Sequence, residues 1–340
     1  MNEISRFVAG LPVDKKSSLY KLSRYKVYIR YQKDMDRLWK TRQLPNINKI
    51  MAWRKKNLPG EYSKTIFYPF SGADMINPLA IYPEGNEFIL FGLENPGVVP
   101  RLNYLNAKTL SYNIYRFQKA INTIVKINFF KTLDMEKDFS KNSLVGTTSI
   151  CMMFISRMGY EVLSANRIFI NSQGKVVSKK YKPKKSRWIA GVEISFRKSP
   201  GAAVKKMRYF SINISNNSLK YFPNFEKYIN SHEKFAATLK AASYILHYHK
   251  KFSKIRDIIL ARCDEILQDD SGVALRYYKA KDWDIQYFGY YKGPIPFFRK
   301  FHQKKLVTLM KKHSKGKLPF SYGYHFIPGQ SNLIYARRKQ

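Results

Sequence analysis

Thirty residues, 65–94, constrain the fold of this chain more than any others. Thr65-Ile66-Phe67-Tyr68-Pro69-Phe70 is a short apolar and aromatic run with the character of a strand buried on both faces. Ser71-Gly72-Ala73-Asp74 reads as a sharp turn, 75–82 as a short helix, and Glu87-Phe88-Ile89-Leu90-Phe91-Gly92-Leu93-Glu94 as a second buried strand. A strand, helix, strand unit predicts a parallel pair joined by a right-handed crossover, here close to the shortest connection that geometry allows.

The flanking segments carry other periods. Residues 17–58 are helical in pattern and very basic, with Pro45 separating two helices and Ile47, Ile50 and Met51 as the apolar stripe of the second. Leu110, Ile114, Phe117, Ile121, Ile124 and Val125 recur at helical spacing, and 148–158 predicts a further helix. Strands follow at 161–164 and 167–171, then a Ser172-Gln173-Gly174 turn, then strands at 187–196 and 206–214. Phe235, Leu239, Ala242 and Leu246 predict one helix, and Phe252, Ile255, Ile259, Cys263 and Ile266 the next. The pattern then predicts strands at 273–278 and 285–291, a basic helix around Leu306, Leu309 and Met310, and a hairpin of 321–326 with 332–337 turned by Pro328-Gly329.

Composition decides what such a chain can be. With 44% hydrophobic and 15% aromatic residues it can bury a large core, which excludes disorder as its general state. No linker or repeat divides it, so a basic helical extension over 1–60 and one α/β domain over 61–340 are expected. The longest charge-free windows, 142–156 and 318–336, are too short or too broken by Pro and Gly to span a bilayer. No apolar h-region opens the chain, so it is either cytoplasmic or numbered from after a removed leader. Two cysteines, Cys151 and Cys263, neither build a disulfide framework nor close a zinc site, and His247 and His249 stand two apart on a predicted helix, where side chains diverge. No metal is expected. The 62 Lys and Arg against 23 Asp and Glu give a formal charge of +39, which attracts any polyanion: nucleic acid, lipopolysaccharide or an anionic membrane surface.

The strings Arg6-Phe7-Val8-Ala9-Gly10-Leu11-Pro12, Phe67-Tyr68-Pro69-Phe70-Ser71-Gly72-Ala73-Asp74, Leu90-Phe91-Gly92-Leu93-Glu94, Leu267-Gln268-Asp269-Asp270-Ser271-Gly272 and Gln330-Ser331-Asn332-Leu333 resemble an uncharacterised family of bacterial, often exported, proteins. The resemblance spans nearly the whole chain. Members usually show Pro then Phe where this sequence has Ala73 and Met75, a departure that leaves the turn and its Asp intact. The resemblance implies no activity. It does imply a periplasmic or exported origin, since many members carry a leader before the Arg6 motif.

The unit around Ser71, Gly72 and Asp74 is also similar to the opening of Rossmann-like methyltransferases, whose acid after the second strand takes the ribose hydroxyls of S-adenosylmethionine. That resemblance implies an α/β fold with a Rossmann-like, mostly parallel sheet, closed by the antiparallel C-terminal hairpin. It makes Ser71, Gly72, Asp74 and Glu94 the cofactor site, with Glu94 as the ribose acid. Gly72 stands alone where those enzymes usually show two or three glycines, and a dinucleotide fingerprint is absent.

The residues leave several readings open. Asp74 and Glu94 belong at carboxyl ends of neighbouring strands, where α/β folds place ligands, but Asp74 could equally cap the following helix and Glu94 begin a loop. Asp269-Asp270-Ser271-Gly272 could hold a cation or act as a base, or be ordinary turn chemistry; the EF-hand pattern is missing. Ser71 and Ser271 lack the nucleophile-elbow context of a hydrolase. Lys175, Lys179, Lys180, Lys182, Lys184, Lys185 and Arg187, with Tyr181 and Trp188, form either an anion-gripping loop or a solvated hairpin tip. Tyr287, Phe288, Tyr290 and Tyr291 could line a stacking surface. Group transfer with a nucleotide-like cofactor and a non-enzymatic envelope or nucleic-acid binder are the two functional classes these readings support.

Overall fold

The computed structural model describes residues 1–127, 146–178, 183, 186–325 and 329–339. In chain order the elements are α1 (Asn2–Val8), α2 (Tyr20–Ser23), α3 (Lys26–Leu38), a π-helical turn (Trp39–Gln43), α4 (Leu44–Asn57), β1 (Thr65–Tyr68), α5 (Ile76–Ile81), β2 (Glu87–Gly92), α6 (Ala107–Ile127), α7 (Thr147–Arg157), β3 (Glu161–Ile170) and β4 (Val176–Ser178). They continue with β5 (Ile189–Arg197), β6 (Lys205–Ser211), α8 (Asn216–Leu219), α9 (Pro223–Asn230), β7 (Phe235–Leu239), α10 (Ser253–Arg262), β8 (Cys263–Gln268), β9 (Trp283–Gly289), α11 (Lys304–His313) and β10 (Asn332–Arg338). The fold is mixed α/β.

The ten strands form one sheet in the order β4-β3-β5-β6-β2-β1-β7-β8-β10-β9. As expected, β1 and β2 are parallel neighbours, Thr65 facing Glu87 and Tyr68 facing Leu90. Parallel pairing continues from β2 to β6 on one side, and from β1 to β7 and β7 to β8 on the other. The other five of the nine neighbouring pairs are antiparallel, so a mostly parallel sheet is not what forms. A meander of β3, β5 and β6 extends one wing, with β3 continuous across a bulge at Val162 and Ser164 where the sequence suggested two strands. On the other wing β10 lies between β8 and β9.

Alternation along the central strands sends Ile66, Tyr68, Phe88 and Leu90 to one face and Phe67, Ile89 and Phe91 to the other. Both faces are covered. Helices α1 and α3–α7 place Phe7, Tyr28, Ile47, Ile50, Leu79 and Leu110 on the first face, so residues 1–60 share that core with the sheet. Helices α8–α10 bring Leu219, Phe225, Ile255 and Ile259 to the second. The chain is therefore layered helix, sheet, helix, with α11 packing Leu306 and Met310 over the β9–β10 edge.

Several local expectations need correction. Phe235 to Leu239 is a strand with all five residues buried, and burial on both faces removes the alternation that would have marked it. Ala242 and Leu246 lie in the loop beyond, with His247 ending a 3-10 turn, so the two histidines do not share a helix. The next helix stops at Arg262, and Cys263 and Ile266 belong to β8. No strand forms over 273–278, where Leu275–Tyr277 is a 3-10 turn. Met51 is exposed, and Trp53 takes its place in the α4 stripe. Pro45 sits in the first turn of α4, following a π-helical turn that keeps α3 and α4 connected. The C-terminal hairpin does not form: β10 pairs with β8 and β9, while Tyr322 and His325 make one isolated bridge. There the Ser331 hydroxyl accepts from the Tyr322 N–H and donates to the His325 carbonyl, replacing a ladder. Phe326, Ile327 and Pro328 lie outside the described residues.

Candidate functional site

Strand order reverses at β1: β2 and β6 lie to one side of it, β7 and β8 to the other. At such a point the loops leaving neighbouring strands diverge and open a crevice at the carboxyl edge of the sheet. A cavity of about 330 Å³ lies there, lined from the ends of β1, β2, β6 and β7. Ser71, Gly72, Asp74 and Glu94, the four residues singled out as a cofactor site, all line it. Phe70, Ile212, Ile214 and Phe252 supply apolar wall.

The two acids differ in what remains open to a ligand. Asp74 is fully engaged: Oδ2 accepts from the Tyr68 hydroxyl at 3.1 Å and from Asn77 Nδ2 at 2.7 Å, and pairs with Lys240 Nζ at 3.2 Å. Its Oδ1 accepts from the Asn77 N–H at 3.2 Å, which caps the start of α5. Asp74 thus holds the turn and anchors Lys240, whose ammonium also lies 5.8 Å from the Tyr322 ring.

Glu94 is 3% exposed, and its Oε2 accepts from the Tyr209 hydroxyl at 3.0 Å while Oε1 is buried without a hydrogen-bond partner. A buried carboxylate oxygen with no donor costs free energy that a ligand's hydroxyl can recover. Gly92 allows the close packing at this point: a Cβ there would lie 2.5 Å from Glu94 Oε2, 2.6 Å from Tyr209 Oη and 3.2 Å from Gly72 Cα. Gly72, at φ +53°, takes the left-handed conformation the turn requires.

The loop after β7, which the sequence concealed inside a helical pattern, forms the opposite wall. Its Ala241, Ser243 and Tyr244 have φ of 51°, 52° and 55°, and they are the only non-glycine residues with positive φ among those described. Each such residue costs on the order of 1–3 kcal/mol, so the surroundings must impose the conformation. Asp269-Asp270-Ser271, in the turn after β8, does so. Asp269 Oδ2 accepts from the Ala241 N–H at 3.1 Å, Ser271 Oγ from the Ala242 N–H at 2.7 Å, and Asp270 Oδ2 from the Tyr244 hydroxyl. Tyr324 completes the clamp, its hydroxyl donating to the Ala241 carbonyl at 2.9 Å and accepting from the Ser243 N–H at 3.2 Å. The turn reading of these acids is therefore correct in form, for Gly272 N–H returns to the Asp269 carbonyl. Their side chains nevertheless shape the cavity from behind by holding the β7 loop, a role the sequence did not show, and Lys240 and Tyr209 are the participants that sequence reasoning missed.

Burial and the adjacent Asp270 push the Asp269 carboxyl up to about 7. A raised carboxyl stabilises the fold most fully below its unfolded value near 4, and that contribution is lost as pH rises through 7. The thermal midpoint of wild type relative to Asp269→Asn should accordingly fall between pH 4 and 7 and level off above. A difference constant across that window would show that Asp269 does not titrate there.

Neither cysteine lines the cavity: both are free and buried, burial pushes both thiols far up, and Cys151 Sγ donates to the Ala73 carbonyl at 3.8 Å behind the turn. No cluster of three metal-ligating side chains occurs among the described residues, and none of their helices is long and apolar enough to cross a membrane. Of the basic loop, Lys179, Lys180, Lys182, Lys184 and Lys185 lie outside the described residues. Arg187 is exposed, with its guanidinium 5.4 Å from the Tyr221 ring. Comparison with protein-family models, with curated proteins and with solved structures finds no match.

Proposed function

We propose that the protein is a Rossmann-like group-transfer enzyme that binds S-adenosylmethionine in the cavity at the carboxyl ends of β1, β2, β6 and β7. The observation that carries this reading is Glu94 Oε1, a buried and unpartnered acceptor lining that cavity just after the second strand. A ribose diol supplies the donors it lacks. Numbered in chain order, the central strands β6-β2-β1-β7-β8 read 3-2-1-4-5, the doubly wound order, and an antiparallel strand closes them.

Charge selects among nucleotide-like ligands. In a protein of formal charge +39, the lining contributes two carboxylates, Asp74 and Glu94, against one ammonium, Lys240. A net negative wall disfavours a pyrophosphate and favours a sulfonium. Held by Glu94 and the apolar wall, adenosylmethionine would supply an electrophilic methyl group on a positively charged sulfur. The chain's own part is to orient: Glu94 toward the ribose, the apolar wall against the base, and the clamped Lys240 to Tyr244 loop beside the acceptor.

Adenosylmethionine or adenosylhomocysteine at about 100 times its dissociation constant should stabilise the protein by about 2.7 kcal/mol, a rise in midpoint of about 4 °C at ordinary unfolding entropies. NAD at the same concentration should give none. A shift with NAD alone, or with no ligand of the three, would overturn the assignment.

A further inference from the structure

We infer that the surface formed by Tyr290–Phe301 and the end of the β7 loop docks single-stranded nucleic acid beside the cavity. Phe297 is 84% exposed and Tyr290 47%, both large aromatic side chains held out to solvent. Cations sit over the rings of this surface: Lys292 Nζ lies 5.5 Å from the Tyr290 ring, and Lys251 and Lys300 lie 5.8 and 5.7 Å from that of Tyr248. Stacking faces interleaved with ammonium groups are what a strand of unpaired bases on a phosphate backbone requires.

Charge complementarity is local here as well as global. From Ile285 to Gln340 the sequence has twelve Lys and Arg and no Asp or Glu, and from Lys240 to Arg256 five and none. The acids beneath, Asp269 and Asp270, are fully buried. A duplex hides its base faces and would meet only the cations, whereas an unpaired strand engages both features.

The surface adjoins the cavity through continuous packing. Phe298, next to Phe297, lies 4.8 Å from Tyr244 and 5.2 Å from Tyr324, and Phe301 stacks on Tyr244 at 5.3 Å. Tyr244 stands between Ser243 and Ile245, both of which line the cavity. A bound strand would thus present a base or sugar at its mouth. As the acceptor side of a methyl transfer this rests on the function proposed above; as a binding surface it does not, and it is tested without cofactor.

The test is fluorescence anisotropy of the full chain with a labelled oligonucleotide of about 12 thymidines, across a salt series. Phe297→Ala, an exposed truncation, should weaken binding about tenfold and leave the salt slope unchanged, since it removes a stacking face and no charge. Lys251→Gln with Lys300→Gln should flatten the slope by about 1 to 1.5. Lys55→Gln with Lys56→Gln, the same charge change on α4, should leave the slope within about 0.3 of wild type. Equal effects of the two lysine pairs, wild-type affinity in Phe297→Ala, or tighter binding of the matching duplex would overturn the surface. So would binding to phosphatidylglycerol vesicles without binding to the oligonucleotide. A positive result here with no adenosylmethionine shift would retain the surface and remove the enzyme.

Discussion

Gly323→Ala is expected to destabilise the protein by about 4 kcal/mol, a fall of about 6 °C in thermal midpoint, although the substitution adds one methyl group. Gly323 has φ +66°, and a Cβ built on it would lie 1.7 Å from Asp269 Oδ2, so the carboxylate must move. That oxygen accepts from the Ala241 N–H, and moving it releases the strained loop lining the cavity. The substitution therefore combines backbone strain, a displaced buried carboxylate and an orphaned amide. Gly201→Ala provides the control: φ there is +82°, but nothing lies within 4 Å of the added atom, so only about 1 kcal/mol of strain remains. Thermal denaturation of the two variants side by side checks the claim, and equal losses would show that the Asp269 contact contributes nothing.

The second large effect concerns ligand affinity with stability held nearly constant. Glu94→Ala should weaken adenosylhomocysteine binding by roughly 10- to 100-fold, the range for a hydrogen bond to a charged group. Without ligand the midpoint should stay or rise. Oε1 has no partner to lose, and the Tyr209 hydroxyl, which donates to Oε2, also lies 2.8 Å from the Glu94 main-chain carbonyl and keeps that acceptor. Titration calorimetry and a thermal scan separate the two quantities. A variant that binds as wild type, or that unfolds several degrees lower, would make Glu94 a structural residue.

What the sequence reveals here follows from how each segment is punctuated. The unit from Thr65 to Glu94 is readable because Pro69, Gly72 and Pro83 mark its joints, and its strands have the predicted parallel pairing. Ser71, Gly72, Asp74 and Glu94 in the cavity wall are readable for the same reason: turn chemistry at a strand end is visible locally. Phe235 to Leu239 carries no such mark, since a strand buried on both faces can show apolar residues at any spacing, and Lys240 is concealed with it. Asp269 is visible as a turn residue, but that its oxygen reaches the Ala241 amide depends on β7 and β8 being neighbours. The expected hairpin fails for a related reason: β10 has alternation enough for a strand, yet its partners lie 70 residues upstream in β8 and about 50 upstream in β9. Long-range pairing of that kind leaves no local signature.

The placement of β10 has a consequence for biosynthesis. β9 emerges from the ribosome before β10, yet among the described residues β10 is its only neighbouring strand in the sheet. Until residues 332–338 arrive, the nascent chain exposes the open edge of β8 and carries β9 as an unpaired strand with Trp283, Tyr287 and Phe288 on it. An unpaired edge and a loose aromatic strand are the features through which chains capture one another. This wing is therefore where the growing polypeptide needs a chaperone most, and where a stalled or prematurely terminated product would aggregate first.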